Sequence, residues 1–138
     1  MLFRSLCQVT RFALGRRGDD FAYTSLSLLR NVFSGLHRDG NNHSVCFNRL
    51  IPLSFWTGGE LWCHDTAGDI TYPGTTLVGK LLPLSPPFVE FDACELHGTM
   101  PWHGERMVLA VYHIKTPAAL THAEMDYLKR VGFAPLLE

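Results

Sequence analysis

The chemistry in this chain is concentrated in four residues: His37 and Asp39 with one residue between them, His97 much further on, and Arg106 soon after it. Two imidazoles and one carboxylate can occupy one face of a divalent ion and leave its other positions open, which is the donor set of non-haem Fe(II) sites. On an extended segment, side chains two apart share a face, so His37 and Asp39 converge while Arg38 points away. His97 must come from a different strand, because three donors cannot close on one ion from a single extended segment. Arg106 follows the tight turn Pro101-Trp102-His103-Gly104 and opens a strand in which Val108, Ala110 and Tyr112 should share its face. Met107, Leu109 and Val111 should face the other way, into a layer beneath helices. A guanidinium at that mouth offers a forked, bidentate partner for a carboxylate, which a lysine cannot supply. Each piece is ordinary alone; order, spacing and strand context together make the set informative.

The elements that must position these groups are short strands. After an N-terminal helical stretch, turn signals recur at roughly 8–12-residue spacing, the rhythm of an all-β sandwich or barrel. Expected strands are Tyr23–Asn31, Gly35–Arg38, Ser44–Pro52, Glu60–His64, Ile70–Tyr72, Leu77–Leu82, Pro87–Phe91, Glu95–Met100 and Arg106–Ile114. Asp39-Gly40-Asn41-Asn42, Thr57-Gly58-Gly59, Ala67-Gly68-Asp69 and Pro73-Gly74 read as the turns between them. Leu2, Leu6, Val9 and Ala13, with Phe3 and Phe12 beside them, predict a core-packing helix ending at Gly15. A second helix closes the chain: Thr121 and Glu124 match a capping box, and Gly132 suits the position just past the end. The expectation is a mainly β domain over residues 1–138, a jelly roll (core about 23–114) flanked by an N-terminal and a C-terminal helix.

Composition narrows the function classes. Hydrophobic residues make up 46% and charged residues 18%, as in a globular protein, and no apolar run reaches the roughly 20 residues that span a bilayer. The cysteines Cys7, Cys46, Cys63 and Cys94 are scattered without a C-x-x-C, which suits reduced thiols in an intracellular compartment, cytoplasm or nucleus. Residues 1–49 hold seven Lys/Arg against three Asp/Glu, and residues 50–138 hold five against ten, so the first third is mildly positive and could face a polyanion. Four arginines and no acid among the first eighteen residues also have the composition of an organelle-targeting segment.

From about Tyr23 to Ile114 the chain resembles the Fe(II)/2-oxoglutarate-dependent dioxygenases, whose double-stranded β-helix carries H-x-D, H and R/K in this order. The stretch ELHGTMPWHGERMVLAVYH is similar to the late strands of that family, and FWTGGELWC to the Gly-Gly turn and strand that follow H-x-D. HRDGNN and GERMVLAVY resemble the corresponding segments of the TET/JBP nucleobase oxygenases, although Val108 stands where that group often has serine. The resemblance implies that His37, Asp39 and His97 bind Fe(II), that Arg106 binds the far carboxylate of 2-oxoglutarate, and that O2 is the oxidant. On that reading Asn31 and Tyr23 are further candidates for contact with 2-oxoglutarate. Asn42 and Trp62 are candidates for contact with substrate, Asn42 because a carboxamide can read a base edge. The implied reaction is hydroxylation of a C–H bond, with a methylated nucleobase in DNA or RNA as first choice of substrate. The alternatives are a peptidyl (prolyl-type) hydroxylase, and a cupin-like protein that binds a metal without turnover.

Overall fold

The computed structural model describes residues 5, 6, 8–11, 21–115 and 120–136. The chain is mainly β. Its strands are β1 (Ser25–Arg30), β2 (Asn48–Pro52), β3 (Thr57–Gly58), β4 (Leu61–His64), β5 (Ile70–Thr71), β6 (Val78–Leu82), β7 (Val89–Phe91), β8 (His97–Thr99), β9 (Trp102–His103) and β10 (Met107–Tyr112). They form two four-stranded sheets, ordered β1-β10-β2-β7 and β5-β6-β4-β8, and a small ribbon of β3 with β9. Every strand pairing among the described residues is antiparallel.

Alternation along β10 sets the layers. Val108 and Ala110 pack with Leu50, Phe91 and Leu61, and Leu61 belongs to the other sheet, so this cluster lies between the two sheets. Leu109 and Val111 instead join Ile51, Tyr23 and Phe133, with Leu6, Leu128 and Val131 from the helical segments packed against them. The two-faced strand expected from the sequence is therefore present, with one face toward the second sheet and the other beneath helices. Burial of such apolar surface, at about 25 cal/mol per Å2, is the main stabilising term on both faces.

The C-terminal helix, His122–Val131, starts as its sequence requires. Thr121 accepts from the Glu124 backbone N–H while the Glu124 side chain reaches back to Thr121 N–H, and Gly132 ends it with φ 107°. At the other end of the chain, residues 5, 6 and 8–11 that are described are helical. Leu6 packs on the outer cluster and Val9 is exposed. Leu2, Phe3, Phe12, Ala13 and the expected stop at Gly15 lie outside the described residues. Among the described residues no helix is long and apolar enough to cross a membrane.

Two expectations change. Thr57-Gly58 and Trp102-His103, read as turns, pair with each other as β3 and β9. Gly58 (φ 76°) and Gly59 (φ 67°) take the bend while Thr57 and Gly58 still pair, so turn chemistry concealed a short ladder between distant segments. The expected strand Gly35–Arg38 contracts to one bridge, His37 opposite His97. On one side of that bridge Thr99 N–H donates to Ser34 O at 2.8 Å, and on the other Asp39 N–H donates to Ala93 O at 2.8 Å. Both bonds are out of step with a regular ladder, so the pairing cannot extend.

Candidate metal centre and anion seat

His37 and His97 meet because their backbones form that bridge: each N–H donates to the other's carbonyl at 3.0 Å, and the ring centroids stand 4.3 Å apart. His37 Nδ1 lies 2.7 Å from Gly35 O, and His97 Nδ1 lies 2.8 Å from Glu95 O. A carbonyl can only accept, so in both rings Nδ1 carries the proton and Nε2 keeps its lone pair, as a metal ligand must. Both Nε2 atoms turn toward Asp39, at 3.4 Å from Oδ1 for His37 and 4.0 Å from Oδ2 for His97. The donor atoms of the three residues all lie within 4.8 Å of one another. Burial pushes the His97 pKa down against the opposing pull of its bond to Glu95 O, which favours the neutral, ligating ring.

The surroundings fix each donor differently. Phe91 meets the His97 ring edge-on at 5.0 Å, and Asp92 Oδ1 accepts from Cys94 N–H at 2.9 Å, shaping the turn into β8. Arg38 turns outward to Glu95 (2.9 Å). Asp39 is held by two buried carboxamides: Asn42 Nδ2 and Asn48 Nδ2 both donate to its Oδ2, at 3.4 and 3.3 Å. Beside this group opens a cavity of about 510 Å3, whose wall includes Ser27, Asn41, Asn42, Asn48, Ala110 and Tyr112.

Arg106 lies on the inner side with Val108 and is 3% exposed. Its guanidinium sits 5.4 Å from the Trp56 ring and 5.5 Å from the Trp102 ring, and Nε donates to Gly59 O at 3.3 Å. Among the described residues no carboxylate is within ion-pair distance of it; the neighbouring Glu105 pairs with Arg30 at 3.0 Å. Desolvation lowers the Arg106 pKa. The seat depends on Gly59, since a Cβ there would come 3.1 Å from Arg106 Nε and 2.8 Å from Trp56 Nε1.

No family model, no curated protein and no solved structure matches this chain. The reading of the site rests on its own geometry.

Four other sequence candidates occupy distinct places. Tyr23 lies in the outer cluster beneath the helices and donates its hydroxyl to Gly132 O at 2.6 Å, on the sheet face away from Val108; this corrects its placement at a co-substrate. Asn31 accepts from Arg106 N–H (2.8 Å) and donates its own N–H to Arg106 O (2.7 Å), so it pins the arginine's backbone rather than reaching for a ligand. Trp62 is fully buried on the face of β4 opposite Leu61 and Cys63, with Nε1 donating to Ile70 O at 2.8 Å and Tyr72 edge-on; this corrects its placement as a substrate platform. Asn42 borders the cavity, but its amide N–H groups go to Asp39 and Asn48. Sequence reasoning missed Asn48 and Trp56. A carboxamide two residues before Leu50, and so on the same strand face as that apolar residue, was the signal for Asn48. Trp56 was concealed inside the Gly-Gly segment.

Cys46, Cys63 and Cys94 are free thiols. Burial raises Cys63, which stands opposite His97 across β4 and β8, to about 11, so it is a protonated neighbour rather than a fourth thiolate donor.

The donor set fits a divalent first-row ion: two imidazoles whose Nδ1 atoms are tied to carbonyls, one carboxylate, and an open flank at the half-buried His37 and Asp39.

Proposed function

We propose that this protein is an Fe(II)/2-oxoglutarate-dependent dioxygenase built on a double-stranded β-helix. Strand order supports the fold: from β2 onward the chain passes to the second sheet at β4, returns at β7, crosses again at β8 and comes back at β10. The observation that carries the function is Arg106, a buried guanidinium without a carboxylate partner among the described residues, in a chain that also assembles a His-Asp-His donor set. Leaving a cation buried and unpaired is expensive, so a seat of this kind is built for an anion.

His37, Asp39 and His97 would hold the ion, and Arg106 the far carboxylate of the co-substrate. Bound together, Fe(II), 2-oxoglutarate and O2 supply the oxidising power that turns a substrate C–H into C–OH, with succinate and CO2 released. The protein's part is orientation and dryness. Gly35 O and Glu95 O fix the imidazole tautomers, the buried Phe91 ring shields His97, the half-buried rings of Trp56 and Trp102 flank Arg106, and Asn31 locks the arginine's backbone. The cavity beside Asp39 mixes polar groups (Ser27, Asn41, Asn42, Tyr112) with the apolar side chains of Leu29, Ala110 and Ile114, and its size suits a planar heterocycle. A methylated nucleobase, presented single-stranded or flipped from a duplex, is the substrate we propose.

Succinate formation by protein loaded with Fe(II) under anaerobic conditions and then given O2 tests this, with a methylated oligonucleotide and a proline-containing peptide compared as substrates. Iron-dependent succinate from wild type, stimulated by the oligonucleotide and lost in His97→Ala, is expected. Absence of iron-dependent succinate with either substrate would leave a metal-binding protein without turnover.

A further inference from the structure

We propose that Asn48, acting with Asn42, is a positioning residue that decides which oxygen of Asp39 is offered to the ion. The inference rests on the metal reading of His37, Asp39 and His97 and adds a residue to it. Asp39 Oδ2 accepts N–H groups from Asn48 (3.3 Å) and Asn42 (3.4 Å), while Oδ1 is the oxygen nearer an imidazole donor, 3.4 Å from His37 Nε2 against 4.0 Å between Oδ2 and His97 Nε2. The two carboxamides are themselves joined, Asn42 Nδ2 donating to Asn48 Oδ1 at 2.9 Å, and they are 5% and 4% exposed.

The anchor is rigid where the carboxylate is not. Asp39 adjoins Gly40 in a turn, and its side chain is 33% exposed, so little else there stops the carboxylate rotating. Asn48 opens β2, which lies between β10 and β7, and it sits opposite Phe91 in the ladder. Asn42 is fixed by its bridge to Ile114 and by its N–H to Asp39 O at 3.0 Å. The clamp therefore ties a turn residue to the first residue of an inner strand. Its chemistry is also suited to the task. Neutral amides hold Oδ2 by charge-assisted bonds and leave the full negative charge for a cation, whereas a lysine or arginine in their place would neutralise it. With Oδ2 occupied, Asp39 donates through one oxygen, which preserves the open positions of the site.

Co(II) titrated into the full chain and followed by its visible absorption tests the clamp, with melting temperatures measured in the absence of metal. Wild type should bind one equivalent and His97→Ala none; no binding by wild type would overturn the metal reading and the clamp together. Where wild type binds, Asn48→Leu should weaken Co(II) by about 10- to 100-fold and change the shape of the visible band, because the carboxylate can then turn or chelate through both oxygens. Wild-type affinity with an unchanged band in Asn48→Leu would overturn the clamp and leave the metal reading standing. A purely structural role would lower the melting temperature without altering the band, and that result also overturns it. Should Asn48→Leu fail to fold, Asn42→Ser, which lies outside the sheets, carries the same two expectations and decides the matter.

Discussion

Two buried arginines on opposite faces of the first sheet have opposite surroundings. Arg49, 6% exposed, lies between Phe21 and Phe88 at 4.0 and 4.1 Å and holds Glu90, its cross-strand partner, at 2.7 Å. Arg106, 3% exposed, also lies between two aromatic rings, yet its side chain donates to a backbone carbonyl, Gly59 O, and pairs with no carboxylate among the described residues. The same residue type, equally desolvated, is a finished ion pair in one place and an incomplete one in the other. A buried charge without its partner weighs against the fold, so on the proposed function the unpaired guanidinium is the one that awaits a ligand.

The largest expected effect concerns binding. Removing a bidentate charged contact costs about 3 kcal/mol, or roughly 100-fold, so Arg106→Ala should raise the apparent KM for 2-oxoglutarate by about that factor. Arg49→Ala should leave KM unchanged, and similar KM changes in the two variants would erase the contrast. Stability should run the other way. Arg49→Ala removes packing between Phe21 and Phe88 and a pair with the exposed Glu90, and should cost about 1–2 kcal/mol in urea unfolding, whereas Arg106→Met should be neutral or stabilise the metal-free protein by about 1 kcal/mol. A smaller effect tests the seat itself: Gly59→Ala should destabilise by about 1 kcal/mol through its left-handed backbone and weaken 2-oxoglutarate binding by crowding Arg106. Smallest for function is Thr121→Ala, which should cost about 1 kcal/mol of stability through the lost cap and leave KM alone.

The contrast between the arginines was only half legible in the sequence. Period-two alternation from Arg106 to Tyr112 gave the faces of β10 correctly, and the H-x-D spacing placed His37 with Asp39, because both follow from local backbone geometry. The capping box at Thr121 was equally local. What the sequence hid depends on distant partners. The rings around Arg106 come from Trp56 and from Trp102 on β9, and the ribbon holding Trp102 is built from segments that look like turns. Tyr23 and Trp62 were misplaced because an aromatic residue on a strand does not announce its face without the register of its neighbours. Asn48 was missed because a buried carboxamide becomes meaningful only when the carboxylate it holds is known.

The central claim is that the His-Asp-His group and Arg106 serve one ligand. Calorimetric titration of 2-oxoglutarate into Mn(II)-loaded protein without oxygen tests it most directly. One binding site is predicted for wild type, abolished both by omitting Mn(II) and by Arg106→Met. Binding that persists unchanged without the metal, or in Arg106→Met, would contradict it.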